Sequence, residues 1–130
     1  MWTLRLMPRF QETDALGHIN NTVPAIWFEQ AREPLFRLFT PDLDVKDWHL
    51  IVAGYNIQFQ AELQYGREVA IRTGISHIGN SSFKIRQEAW QDGKCCVVGE
   101  TAMVHFDHGL KKSKPLTAEL KEQLSIHMVE

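Results

Sequence analysis

Cysteine is almost absent from this chain: there are two, Cys95 and Cys96, and they are neighbours. Adjacent cysteines rarely bridge, so no disulfide framework is expected and a reducing cytoplasmic setting fits. As consecutive strand residues they would point to opposite faces, which suits a packing role. An excess of positive charge is also missing. Fourteen Lys and Arg against 16 Asp and Glu give a formal net charge of −2, so there is no global basic field of the kind that attracts nucleic acid. Long apolar runs are absent as well. The N-terminal stretch "MWTLRLMPRF" carries charge within it, and neither a signal peptide nor a membrane span is expected. What remains is a chain of 130 residues, 44% hydrophobic and 23% charged, which has the composition of a folded globular protein. No repeat, low-complexity tract or linker divides it, so residues 1–130 are read as a single domain.

Periodicity then assigns elements. Residues 3–10 read as a first strand. From Thr22 to about Phe39, Val23, Ile26, Trp27, Ala31, Leu35 and Leu38 recur at spacings of three and four, the mark of one apolar helical face. Pro24 is tolerable in the first turn, whose N–H groups lack intrahelical partners, whereas Pro34 should kink or end the helix. The period then falls to two. Ile51, Ala53, Tyr55, Ile57, Phe59, Ala61, Leu63 and Tyr65 alternate with Asn56, Gln58, Gln60, Glu62 and Gln64. This predicts a long strand with Tyr55, Ile57, Phe59, Ala61 and Leu63 on a buried face, interrupted by a bulge. Further strands follow over Val69–Ile75, Phe83–Ala89 and 95–106. The turns "GNSS" and "QDGK" separate them, the latter with the Asp-Gly signal of a tight hairpin. Thr117 caps a short terminal helix, "TAELKEQL". The expected architecture is α+β: an antiparallel sheet of about five strands wrapped around one long central helix. Such a sheet keeps open edges, and an open edge favours pairing with a second copy.

One short stretch, "ETDALGHINNT" at 12–22, is dense in chemistry. It holds two carboxylates, Glu12 and Asp14, a turn glycine, Gly17, a histidine, His18, and two helix-capping amides, Asn20 and Asn21. It could be a polar connection with a good cap, or an active site in which Asp14 and the helix start act together. Capping and charge stabilisation are not rivals, because both use the same helix end.

This stretch, followed by "WFEQAR" at Trp27–Arg32, resembles the signature of the hotdog-fold acyl-CoA thioesterases of the 4-hydroxybenzoyl-CoA thioesterase type. The element order, "QYGREV" at 64–69 and "IGNSSF" at 78–83 fit the same family. Two features depart from common members. Pro24 stands where an aromatic residue often follows the paired asparagines, and Pro34 interrupts the helix. The resemblance implies hydrolysis of an acyl-CoA to a free acid and CoA, with no metal or cofactor beyond the CoA of the substrate. It also implies a homodimer joined through a continuous sheet, with sites at the subunit interface, and tetramers are common among relatives. Asp14 takes the position of the family's catalytic carboxylate, as general base or as nucleophile. Asn21 takes the helix-start position whose backbone N–H faces the thioester carbonyl. Gly17, His18, Asn20 and Ser82 are the expected substrate-side residues.

Other features carry less. Glu12 reads as a solvent-facing or supporting carboxylate. In "HFDH", His105 and Asp107 would share a strand face while His108 turns away, so no metal site is expected. Lys111, Lys112 and Lys114 read as a solvated basic tail. Three other readings stand beside the acyl-CoA thioesterase. An acyl-carrier protein could replace CoA as the thiol carrier, or the chain could bind acyl groups without catalysis. A hotdog dehydratase would place a His–Asp pair on the helix, and this helix has Glu29 but no histidine. Acyl length is not written in the sequence, since it depends on how helix and partner pack.

Overall fold

The computed structural model describes residues 1–129. Its strands are β1 (Trp2–Leu6), β2 (Leu50–Phe59), β3 (Val69–Ile78), β4 (Ser82–Gln91), β5 (Lys94–Asp107) and a two-residue β6 (Lys112–Ser113). The helices are α1 (Val23–Ala31), α2 (Glu33–Phe39) and α3 (Ala118–Ser125). The sheet is antiparallel in the order β1-β3-β4-β5-β2, with β6 on β5. β1 is shorter than the expected 3–10, because Phe10–Glu12 coil into a 3₁₀ turn.

Alternation puts Val69, Ile71, Thr73 and Ile75 of β3, and Phe83, Ile85, Gln87 and Ala89 of β4, on one buried face, as their spacing predicts. The β4–β5 turn places Asp92 and Gly93 at φ 53° and 74°, the left-handed pair that an Asp-Gly hairpin requires. Thr117 caps α3 as expected, its hydroxyl accepting the Leu120 N–H at 3.1 Å. The helices lie on the inner face in two apolar clusters. Val23, Trp27, Phe28 and Ala31 pack with Val69, Ile71, Ala89 and Val97. Leu35 and Leu124 pack with Ile75, Phe83, Ile85 and Met103.

The single long helix does not form. The segment is two helices of nine and seven residues that meet at Arg32. Pro34 sits in the first turn of α2, where its missing N–H breaks the ladder that would have carried α1 onward. The apolar face differs too: Ile26 is 62% exposed, while Phe28 is buried. Phe28 lies so close to the sheet that a Cβ on Gly99 would come within 2.8 Å of its ring, so glycine sets the approach of α1 to β5.

β2 is the second correction. Its face assignment holds, because Tyr55, Ile57 and Phe59 stand opposite the inward residues Thr101, Gly99 and Val97. The expected bulge lies between Val52 and Gly54. Burial fails, however: Tyr55 and Phe59 are 67% and 53% exposed, since β2 is an edge with nothing of this chain beyond it. The strand also stops at Phe59 rather than Tyr65. The Gln60 and Ala61 N–H groups both still donate to the Cys96 carbonyl of β5, at 2.8 and 3.1 Å, and beyond them Leu63 and Tyr65 pair with the loop before α1. The C-terminal Met128, bridged to Ile75, was not foreseen.

A polar network joins the two clusters at the helix break. The Gln87 amide donates to the Phe28 carbonyl at 2.8 Å and to the Thr73 hydroxyl at 3.0 Å. Its oxygen accepts from the buried Arg32 guanidinium at 3.1 Å. Burial pushes the Arg32 pKa down, and the Glu29 charge opposes that shift. Gln87→Leu would leave a buried cation and a buried carbonyl unpaired. Chemical denaturation should show a loss of about 2–5 kcal/mol relative to wild type.

Candidate active site

The loop before α1 is built by its own backbone. Thr13 and Ile19 form an antiparallel bridge, and the Asp14 N–H donates to the His18 carbonyl at 2.8 Å. Gly17, at φ 81°, makes the turn between them, a conformation that costs glycine little. The Asp14 carboxylate is oriented from within the loop, where Oδ1 accepts the N–H groups of Leu16 at 2.7 Å and His18 at 3.2 Å. Among the described residues, Oδ2 has no hydrogen-bond partner.

The other side of the site is the start of α1. Asn20 Oδ1 accepts the Thr22 N–H at 3.0 Å and the Thr22 hydroxyl at 2.9 Å, and the Asn20 carbonyl accepts the Val23 N–H at 3.0 Å. The N-cap of α1 is Thr22, which makes no side-chain cap bond; Asn20 braces that residue from two positions upstream rather than capping the helix itself. Pro24 has no N–H to offer. Among the described residues the Asn21 N–H meets no acceptor, so it is a free donor at the positive end of the helix dipole.

Asp14, His18, Asn20, Asn21 and Pro24 form one wall of a cavity of about 690 Å³, with Phe59, Ala61, Leu63 and Val97 opposite. The loop is held to that second wall by Ile19 N–H to Leu63 O at 2.8 Å and Tyr65 N–H to Gly17 O at 3.3 Å. His18 Nε2 lies 2.9 Å from Glu62 Oε2. Glu62, on the polar face of the expected strand, is thus a neighbour of the site that strand periodicity could not have signalled.

Four of the six expected site residues, Asp14, His18, Asn20 and Asn21, line this cavity, and Gly17 shapes its loop. Ser82 is not brought there. It opens β4, whereas Gln91 at the other end of that strand exchanges hydrogen bonds with Gln64 beside the loop. The strand between them is about 30 Å long at 3.3 Å per residue.

Glu12 is not solvent-facing as one reading had it: it is 7% exposed. Burial raises its pKa, but the Arg9 backbone N–H, the Trp27 indole and the Arg9 charge outweigh that and leave it lowered. The "HFDH" side chains serve the backbone. His105 Nδ1 lies 3.0 Å from Pro115 O, His108 Nε2 3.1 Å from Leu50 O, and Asp107 accepts from Gly109 and Leu110. Among the described residues no three of His, Cys, Asp and Glu gather as a metal-ligand group. Burial pushes the Cys95 and Cys96 thiols up, which is the wrong direction for a thiolate nucleophile.

A family model described as the thioesterase-like superfamily matches residues 8–124. An uncharacterised Bacillus subtilis (strain 168) protein, YsmA, is 30% identical over 117 residues, covering 89% of this chain and 80% of its own. Among solved structures, a predicted thioesterase from Bacillus stearothermophilus is 36% identical with a TM-score of 0.95, over 99% of this chain and 97% of that one. A thioesterase from Thermus thermophilus, in complex with coenzyme A and Zn, is 26% identical with a TM-score of 0.83, over 95% and 96% of the two chains. The antiparallel sheet with its few short helices fits the hotdog fold of such proteins, and the chain belongs to the thioesterase-like superfamily.

Proposed function

We propose that this protein hydrolyses an acyl-CoA thioester to the free acid and CoA at the Asp14 cavity. The observation that carries the reading is that one cavity is lined both by a carboxylate with a free oxygen, Asp14, and by Asn21, whose N–H is unpaired just before α1. A thioester carbonyl is already electrophilic, because sulfur donates poorly into it. The Asn21 N–H and the helix dipole would stabilise the oxygen as negative charge develops on it. Asp14 then acts in one of two ways. As general base, its Oδ2 takes a proton from water while the water oxygen bonds to the carbonyl carbon; the C–S bond breaks and the thiolate leaves, regaining a proton. As nucleophile, Oδ2 bonds to the carbon directly and expels the thiolate, and water then hydrolyses the mixed anhydride. A relative bound to coenzyme A supports CoA as the thiol carrier; an acyl-carrier protein presents the same thioester.

The working unit is a homodimer in this proposal, with a tetramer as its further assembly. β2 has an unpaired edge and exposes Val52, Tyr55 and Phe59 on its inner face. Phe59 also lines the cavity, so a second copy along β2 would enclose the site and exclude water from it. Both cysteines are free, in keeping with work in a reducing cytoplasm.

Sedimentation at micromolar concentration should give a dimer or a multiple of it, and a stable monomer contradicts this assembly. Asp14→Asn should leave fold and assembly intact but lower kcat for acyl-CoA hydrolysis by about 10²–10⁴-fold or more, with a much smaller change in KM. Release of free thiol, followed with a thiol-reactive dye across aromatic, short and long acyl-CoAs, checks this. Turnover by Asp14→Asn at the wild-type rate would contradict it.

A further inference from the structure

Glu12 is a buried charge that the proposed chemistry does not use. It lines a separate cleft with Leu6, Met7, Arg9 and Trp27, not the Asp14 cavity. Both of its oxygens are committed: Oε1 accepts the Arg9 N–H at 2.6 Å, and Oε2 accepts the Trp27 indole N–H at 2.9 Å. The Arg9 guanidinium lies 3.5 Å from Oε2. The Glu12 backbone carbonyl accepts the Asn20 N–H at 2.8 Å. Trp27 is 3% exposed and sits in the second turn of α1, while Asn20 braces Thr22 at the start of that helix. Glu12 therefore holds α1 at Trp27 and the segment leading into it at Asn20, and only Thr13 separates it from Asp14.

We propose that Glu12 and Trp27 are a positioning pair that fixes the Asp14 carboxylate relative to the N-terminus of α1. This inference rests on the thioesterase reading above. If either donor moves away, this carboxylate, two residues from Asp14, loses a hydrogen bond at a buried oxygen, with only the more distant Arg9 guanidinium left beside Oε2; the intact pair therefore resists a shift of the loop against the helix. Glutamine is not an adequate substitute. Its amide has one oxygen, and its NH₂ would point at one of the two donors.

The test compares Trp27→Phe and Glu12→Gln, each alone and combined with Asp14→Asn, on the acyl-CoA that the wild type hydrolyses fastest. A misplacement of about 1 Å can cost about 10²-fold. Each variant alone should therefore lose about 10- to 100-fold in kcat, with KM changed by no more than about twofold and with circular dichroism and oligomeric state unchanged. Neither should slow the residual rate of Asp14→Asn, because the pair acts only through that carboxylate. Wild-type kcat in both variants overturns the proposal, as do equal losses in the presence and absence of Asp14, which a merely structural role would give. Failure of the underlying reading looks different: Asp14→Asn is then fully active, and if Glu12→Gln is dead, Glu12 is the reacting carboxylate. In the unmutated protein the Trp27 indole N–H should exchange slowly with solvent by NMR. Rapid exchange overturns the pair even where a variant fails to fold.

Discussion

The hydrogen bond between the buried Glu12 carboxylate and the Trp27 indole ties together the two elements that line the site. One is the loop over residues 13–19, which carries the Asp14 carboxylate; the other is α1, whose free N-terminal donor lies at Asn21. A loop alone orders a carboxylate poorly, because each of its residues gives up about 1–2 kcal/mol of conformational freedom when fixed. Here that cost is offset locally by the Asp14–His18 and Thr13–Ile19 pairings, by Leu63 and Tyr65 from the far wall, and by Glu12 from beneath. The loop is exposed but held on three sides.

The chain leaving the end of β2 supplies the partners of that loop. β5 begins at Lys94 and pairs Val97 with Phe59, so it can carry the ladder only a few residues farther and offers Tyr65 no partner. The chain turns off after Ala61 and commits the hydrogen-bonding groups of Leu63 and Tyr65 to the loop. The sheet loses a few residues of ladder and gains a second wall for the cavity. What is left of β2 is a free edge with apolar side chains in the open, the feature that makes a single copy an incomplete unit in the proposed assembly.

Much of this was legible in the chain. Period-two alternation placed the inner faces of β3 and β4 correctly, and Asp-Gly located the hairpin, because both signals are local. The site residues also clustered in sequence, so Asp14, His18, Asn20 and Asn21 could meet without any long-range contact. The signals that misled depend on tertiary context. Pro34 marked the break of the 22–39 helix correctly, but the apolar spacing carried across it still read as one long helix. The alternation of β2 gave the right faces but not their exposure, which depends on strand order. Glu12 gave no sign that it would be buried, because its partner is fifteen residues away on another element.

The central claim is that one carboxylate and one helix-start N–H act on the same carbonyl. The most direct measurement is a crystal structure of Asp14→Asn with a bound acyl-CoA. The thioester oxygen should lie about 2.7–3.1 Å from the Asn21 N–H nitrogen, with residue 14 facing the carbonyl carbon. A thioester bound with its carbonyl turned away from α1, or lodged outside this cavity, would contradict it.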